Sequence, residues 1–223
     1  MKKLALVLAL AATGTLGAGT AGAANILIDH FETTQVATAI NGANQTTNNV
    51  GGVYIGANRD ISATAGASGQ TTGNSNAAFA LSVLDLANTS TSAGTIYVQW
   101  NGITGVNKDL TSVGTNFGIY MALPTPVDNG LDVTFTATGA AGTAVISRNF
   151  PSGITGDSFF FKFTDGTNPG VWASVDTLRA TFTGPTAWDA QVSLLETREA
   201  PIPGTILLMG AGLLGLARRA KRA

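Results

Sequence analysis

Through the middle of the chain, apolar positions recur every second residue. Leu131, Val133, Phe135 and Ala137 alternate with Asp132, Thr134, Thr136 and Thr138, the pattern of a strand with one face in a core and one in water. Phe159, Phe161 and Phe163 alternate with Phe160, Lys162 and Thr164; Leu178, Ala180 and Phe182 with Arg179, Thr181 and Thr183; Ala190, Val192 and Leu194 with Gln191, Ser193 and Leu195. Further strands are expected at Asn25 to Phe31, Val53 to Ile55, Ala78 to Leu86, Thr95 to Trp100, Phe117 to Leu123 and Thr143 to Phe150. Turn sequences such as Asn101-Gly102, Asp128-Asn129-Gly130, Pro151-Ser152-Gly153 and Asp165 to Gly170 separate them. About ten short strands with polar turns, and no amphipathic helix before Pro201, predict an all-β fold: a two-sheet antiparallel β-sandwich, jelly-roll-like. Thr33 to Asn49 and Ser62 to Asn76 are mostly Thr, Asn, Gly, Ala, Ser and Gln, too poor in apolar area to offset their ordering entropy alone, and read as long loops or weak edge strands.

The two ends break this period. Lys2 and Lys3 precede an apolar stretch from Leu4 to Ala12, and Ala21-Gly22-Ala23 forms an A-x-A cleavage site, so residues 1–23 read as a signal peptide. At the other end Pro201-Ile202-Pro203-Gly204-Thr205 leads into an apolar run from Ile206 to Ala217, followed by Arg218, Arg219, Lys221 and Arg222. Pro201 to Ala217 would make about 25 Å of helix against a hydrocarbon core of about 30 Å, a minimal transmembrane span. Basic side chains on one flank snorkel and hold that flank on the cytoplasmic side. The expected organisation is a signal peptide (1–23), an exported sandwich domain (24–200) and a C-terminal segment (201–223) with a single transmembrane helix.

The ordered parts of that segment, proline motif, short Gly/Leu-rich helix and Arg-rich end, resemble the PEP-CTERM sorting signal of Gram-negative, exopolysaccharide-producing bacteria. Ile202 stands where the signal usually has Glu, and a Pro-aliphatic-Pro form occurs as a variant. The resemblance implies an exosortase-type membrane processing enzyme as partner and an inner-membrane-tethered precursor with a periplasmic domain. It also implies a final place at the cell surface or in the extracellular matrix.

Charge separates the domain from its ends. Of the basic residues only Arg59, Lys108, Arg148, Lys162, Arg179 and Arg198 lie between the two targeting segments, whereas all 13 acidic residues do, which gives the domain a net charge of −7. With no Lys/Arg cluster in it, nucleic acid is excluded as a partner. The chain has no cysteine, so thiolate chemistry and a disulfide framework are excluded and stability has to come from a core.

Catalytic chemistry fails on inventory. His30 is the one histidine, flanked by Asp29 and Glu32, and is expected at a surface or edge; a metal site with two imidazoles is impossible. Glu32, Glu196 and Glu199 are the only glutamates, and the aspartates fall mainly in turns, so no glycosidase pair is apparent. Asp165, Asn168, Asp128 and Asn129 offer hard oxygens for calcium but are also ordinary Asx-turn sequences, and neither metal nor cofactor is expected. Trp100, Trp172 and Trp188 could form a sugar-stacking platform, Trp172 best placed in its Gly/Pro-rich loop, although packing is the expected role. The chain reads as a non-enzymatic, exported structural or adhesive protein of the cell surface or exopolysaccharide matrix. The alternative is a carbohydrate-binding module for a specific glycan, which an exposed coplanar tryptophan pair would favour and burial of all three would weaken.

Overall fold

The computed structural model describes residues 25–76 and 82–199. In chain order its strands are β1 (Ile26–Asp29), β2 (Gln35–Ile40), β3 (Asn44–Val50), β4 (Asn58–Thr64), β5 (Gln70–Asn76), β6 (Val83–Asn88), β7 (Thr95–Asn101), β8 (Gly118–Leu123), β9 (Leu131–Gly139), β10 (Gly142–Phe150), β11 (Gly156–Lys162), β12 (Thr177–Thr183), β13 (Ala190–Val192) and β14 (Leu194–Arg198). Three short 3-10 turns are the only helical pieces among the described residues, and no helix there is long and apolar enough to cross a membrane. The expected signal peptide and the expected transmembrane helix lie outside the described residues.

All the strand pairings are antiparallel. One layer is a six-stranded sheet in the order β10-β9-β12-β7-β4-β3. The other is built from two four-stranded sheets, β1-β14-β8-β11 and β13-β6-β5-β2. These adjoin because β13 and β14 are one strand interrupted at Ser193: its first part pairs with β6, its second with β8 and β1, and the Ser193 N–H donates to Ala122 O between them. The layers meet through the alternating apolar positions. Phe135 of β9 sits edge-on to Phe161 of β11, with ring centroids 4.9 Å apart, and Phe150 of β10 likewise to Phe159 at 5.0 Å.

The period-two reading holds for β7, β9, β12 and most of β10, whereas β8 is buried along its whole length and, past the interruption at Ser193, Leu195 rather than Leu194 is buried. Other expectations are also corrected. The Thr/Asn-rich stretches read as long loops or weak edge strands form β2, nearly all of β3, the end of β4 and β5; β2 and β3 are indeed edge strands, but β4 and β5 are interior. Val53 to Ile55 contributes only a single bridge, Tyr54 to Asp29. Phe163 to Asp165 leaves the strand as a 3-10 turn.

Long-range pairing makes strands of such polar sequence possible. The β3 residues are exposed or half-exposed, yet every one of them is in register with β4. Outward backbone groups of the edge are met by side chains: Gln35 Nε2 donates to Thr47 O at 2.7 Å, Tyr54 Oη to Asn49 O at 2.7 Å, and the Thr38 N–H of β2 donates to Gln45 Oε1 at 2.6 Å. An edge with its carbonyls engaged offers little template to another strand.

Candidate functional site

The tryptophans do not form a platform. Trp100, Trp172 and Trp188 are each fully buried. Trp172 stacks on Phe163 with centroids 4.7 Å apart, and Trp188 donates from Nε1 to Gly94 O at 3.0 Å, its ring seated over Gly184 where a Cβ would approach to 2.6 Å. Trp100 reaches into a buried polar cluster. Its Nε1 donates to Asp29 Oδ2 at 2.8 Å, which also accepts from Arg59 Nη1 at 2.9 Å. Arg59 further donates to Gln35 Oε1, Thr33 O and Ser75 Oγ and lies between the rings of Phe31 and Tyr54. Burial pushes the Asp29 carboxyl above the ordinary carboxylate range, against the opposing pull of Arg59. Every partner is spoken for, so this cluster pins β1, β4, β5 and β7 together and has no open face.

Of the calcium candidates, Asn129 and Asn168 are engaged in turns. Asn129 and Asn168 take left-handed backbone conformations, and each gives its side-chain amide to a nearby carbonyl, of Ala187 and Ala141 respectively. Asp128 joins Asp189 in a backbone bridge, and no group of three or more His, Cys, Asp or Glu among the described residues could hold a metal. His30 is exposed with Nδ1 3.9 Å from Glu32 Oε1. The sorting motif Pro201 to Thr205, the basic residues Arg218, Arg219, Lys221 and Arg222, and the cleavage residues Ala21 and Ala23 lie outside the described residues.

The outer face of the six-stranded sheet has a chemistry of its own. Strand register aligns its outward residues in rungs that cross all six strands. One rung reads Ser147, Thr134, Thr181, Tyr97, Ser62, Thr46, with Ser62 fully covered by its neighbours; the next reads Val145, Thr136, Arg179, Gln99, Asp60, Asn48. The flanking rungs read Asn149, Asp132, Thr183, Thr95, Thr64, Asn44 and Thr143, Thr138, Thr177, Asn101, Asn58, Val50. The face is thus dominated by Thr and Asn, and its charges are answered within it. Asp60 accepts from Asn48 and, at 2.8 Å, from Asn101 Nδ2; Asp132 accepts from Asn149 Nδ2 at 2.9 Å; Arg179 donates to Gln99 Oε1 and lies 4.5 Å above the Tyr97 ring centroid.

The opposite layer is different. Phe160, Tyr120, Glu196 and Leu27 share one rung there, with the Arg198 guanidinium laid over Tyr120 and bonded to Glu196. At the β10 edge, where the two layers part, a cleft of about 250 Å³ is lined by residues that include Ser147, Arg148 and Lys162. Among the described residues neither cation forms an ion pair, and both stand at the rim, off the Thr/Asn face. Asp132, Thr134, Thr136 and Thr138 were already visible in the sequence as one solvent-facing side of a strand; what it hid was that six strands line up the same chemistry.

No family model matches the sequence, and no curated protein matches it. Among solved structures, the solution structure of CtCBM11 is similar at 11% identity and a TM-score of 0.43, over 83% of this chain and 99% of that one. A family 11 carbohydrate-binding module from Clostridium thermocellum, in complex with a β-1,3-1,4-mixed-linked tetrasaccharide, shares 12% identity at a TM-score of 0.41, over 79% of this chain and 96% of the other. PfGH50B gives 12% and 0.39 over 54% of this chain, which spans 21% of its length. At these scores the likenesses say nothing of a ligand or an activity.

Proposed function

We propose that this chain is an exported, non-catalytic, jelly-roll-like adhesive protein of the cell surface or exopolysaccharide matrix. In this reading its six-stranded sheet lies against uncharged polysaccharide, and its C-terminal segment serves as the sorting signal. The observation that carries the reading is the composition of that sheet's outer face: hydroxyls and amides in register, with every charge on it satisfied by a neighbour. Threonine hydroxyls and Asn/Gln amides both donate and accept, as sugar hydroxyls do. Threonine is also stiff at χ1, so an array of threonines on paired strands loses little side-chain entropy when a ligand orders it. The charges on the face are two carboxylates and one guanidinium, each hydrogen-bonded to a neutral amide, and they form no cation cluster that would select phosphate or carboxylate polymers.

Burial of all three tryptophans weakens the reading of the chain as a module that grips one specific glycan by tryptophan stacking. The face instead suits many weak hydrogen bonds along an extended chain, which is the behaviour of a matrix adhesive. Affinity electrophoresis through gels containing hydroxyethylcellulose, dextran, galactomannan or alginate tests this. At least one neutral polymer is expected to retard the domain, with little effect of salt or chelator. The double variant Thr136→Asp, Thr181→Asp, whose melting temperature checks folding, is expected to weaken retardation about tenfold or more, because each added carboxylate must be desolvated against an uncharged partner. Unretarded migration in every neutral polymer refutes the reading.

A further inference from the structure

Val50, Val53, Val106, Val113 and Phe117 are exposed apolar side chains gathered at one end of the sandwich. β3 ends there at Val50, level with the start of β4 at Asn58 and the end of β7 at Asn101. The connection from Asn101 to Gly118 carries Val106, Val113 and Phe117 across to the other layer, where Gly118 is level with Arg198. The Phe117 N–H donates to Arg198 O at 2.9 Å, and Ile26 is level with Thr197. Both flanks of the described domain, Asn25 and Glu199, therefore leave from this end.

The loop is built to hold its apolar residues out. Val106 is 88% exposed and Val113 92%, and Ser112 and Val113 take φ of 47° and 59°, a left-handed conformation that a β-branched residue rarely adopts. Asp109 fixes them there, accepting from the Thr111 N–H at 3.0 Å, the Thr111 hydroxyl and the Val113 N–H at 2.8 Å. Ile26 and Leu27 face Val106 and Val113 across a groove of about 660 Å³. Of the nearby charges, Lys108 pairs with Asp176 and Arg198 with Glu196, while the Asp109 carboxylate is held by the loop's own donors.

We propose that this end of the domain rests on a lipid bilayer, with Val106, Val113 and Phe117 in the interfacial region. The inference rests on the reading of Pro201 to Ala223 as a membrane-anchoring segment. Seven residues lie between Arg198 and Ile206, where the apolar run begins, so the eight Cα–Cα steps span at most about 28 Å of extended chain. An anchor so close to the rim brings it to the membrane surface, and exposed apolar side chains such as Val106, Val113 and Phe117 are what that interface accepts.

The chain has no cysteine, so Val113→Cys in the full chain takes one fluorophore at one place, and Thr136→Cys on the sheet face is the control. In phosphatidylcholine vesicles the Val113 label is expected to be quenched several-fold less by aqueous iodide than the Thr136 label, and to be quenched by lipid-borne nitroxide where the control is not. Equal behaviour of the two labels in vesicle-bound protein overturns the proposal and leaves the anchor reading intact. Protein that does not bind vesicles overturns both. A Val113 label shielded from iodide yet untouched by the lipid nitroxide also overturns it, dilution then separating a second copy of the chain from the chain's own apolar segment as the occupant.

Discussion

Asp29 and Arg59 lie 30 positions apart in sequence and meet at 2.9 Å in a fully buried pair, so removing one partner strands the other charge. Asp29→Asn is expected to cost about 3–5 kcal/mol in urea unfolding, and the companion double variant Asp29→Asn, Arg59→Met appreciably less, because it leaves no unpaired charge behind. The pH dependence has a definite sign. Since burial raises the folded carboxyl above the 3.8 of an unperturbed Asp, the folded chain binds this proton at higher pH than the unfolded chain does. The stability of the wild type relative to Asp29→Asn therefore rises as pH falls through the folded pKa and levels off below the unfolded value. A wild type that loses ground to the variant on acidification would mean that Arg59, not desolvation, sets the ionisation. In the sequence this aspartate was only a neighbour of His30, and Arg59 only a basic residue in a polar stretch. No local pattern marks a pair whose meaning comes from closure of the sandwich.

Individual strands were legible in proportion to how much they bury. β9 and β12 alternate cleanly because each has one face in the core and one in water. β3 has no buried residue, and its Asn-Gln-Thr-Thr-Asn-Asn run carries no period to read. It is a strand because β4 pairs with it along its length and because Gln35 and Tyr54 engage its outer carbonyls. Sheet order then predicts a gradient in amide hydrogen exchange. Hydrogen-bonded amides of β12 and β7, central in the six-stranded sheet, should exchange only on global unfolding, whereas those of β3 should exchange through local opening at a lower free energy. Uniform protection across all six strands would contradict that order.

For the whole molecule, processing can be separated from passive tethering. Pro201→Ala with Pro203→Ala leaves hydrophobicity and charge nearly unchanged, so a simple anchor should keep its wild-type mass and distribution. Prolines that present an extended backbone to a protease cleft should instead be missed when lost: the variant should accumulate as precursor and disappear from the extracellular fraction, as intact mass and fractionation would show. The sequence by itself determined the antiparallel all-β class, the positions of the strongly alternating strands and the acidity of the domain, because each is a local property of spacing or composition. Only the tertiary structure decided that the polar stretches pair as strands, that all three tryptophans are buried, and that Thr and Asn from six strands share one face. It alone gathered the exposed valines beside both flanks of the domain. These depend on register and closure between residues distant in the chain, and side-chain alternation along one strand carries no information about which strand will lie beside it.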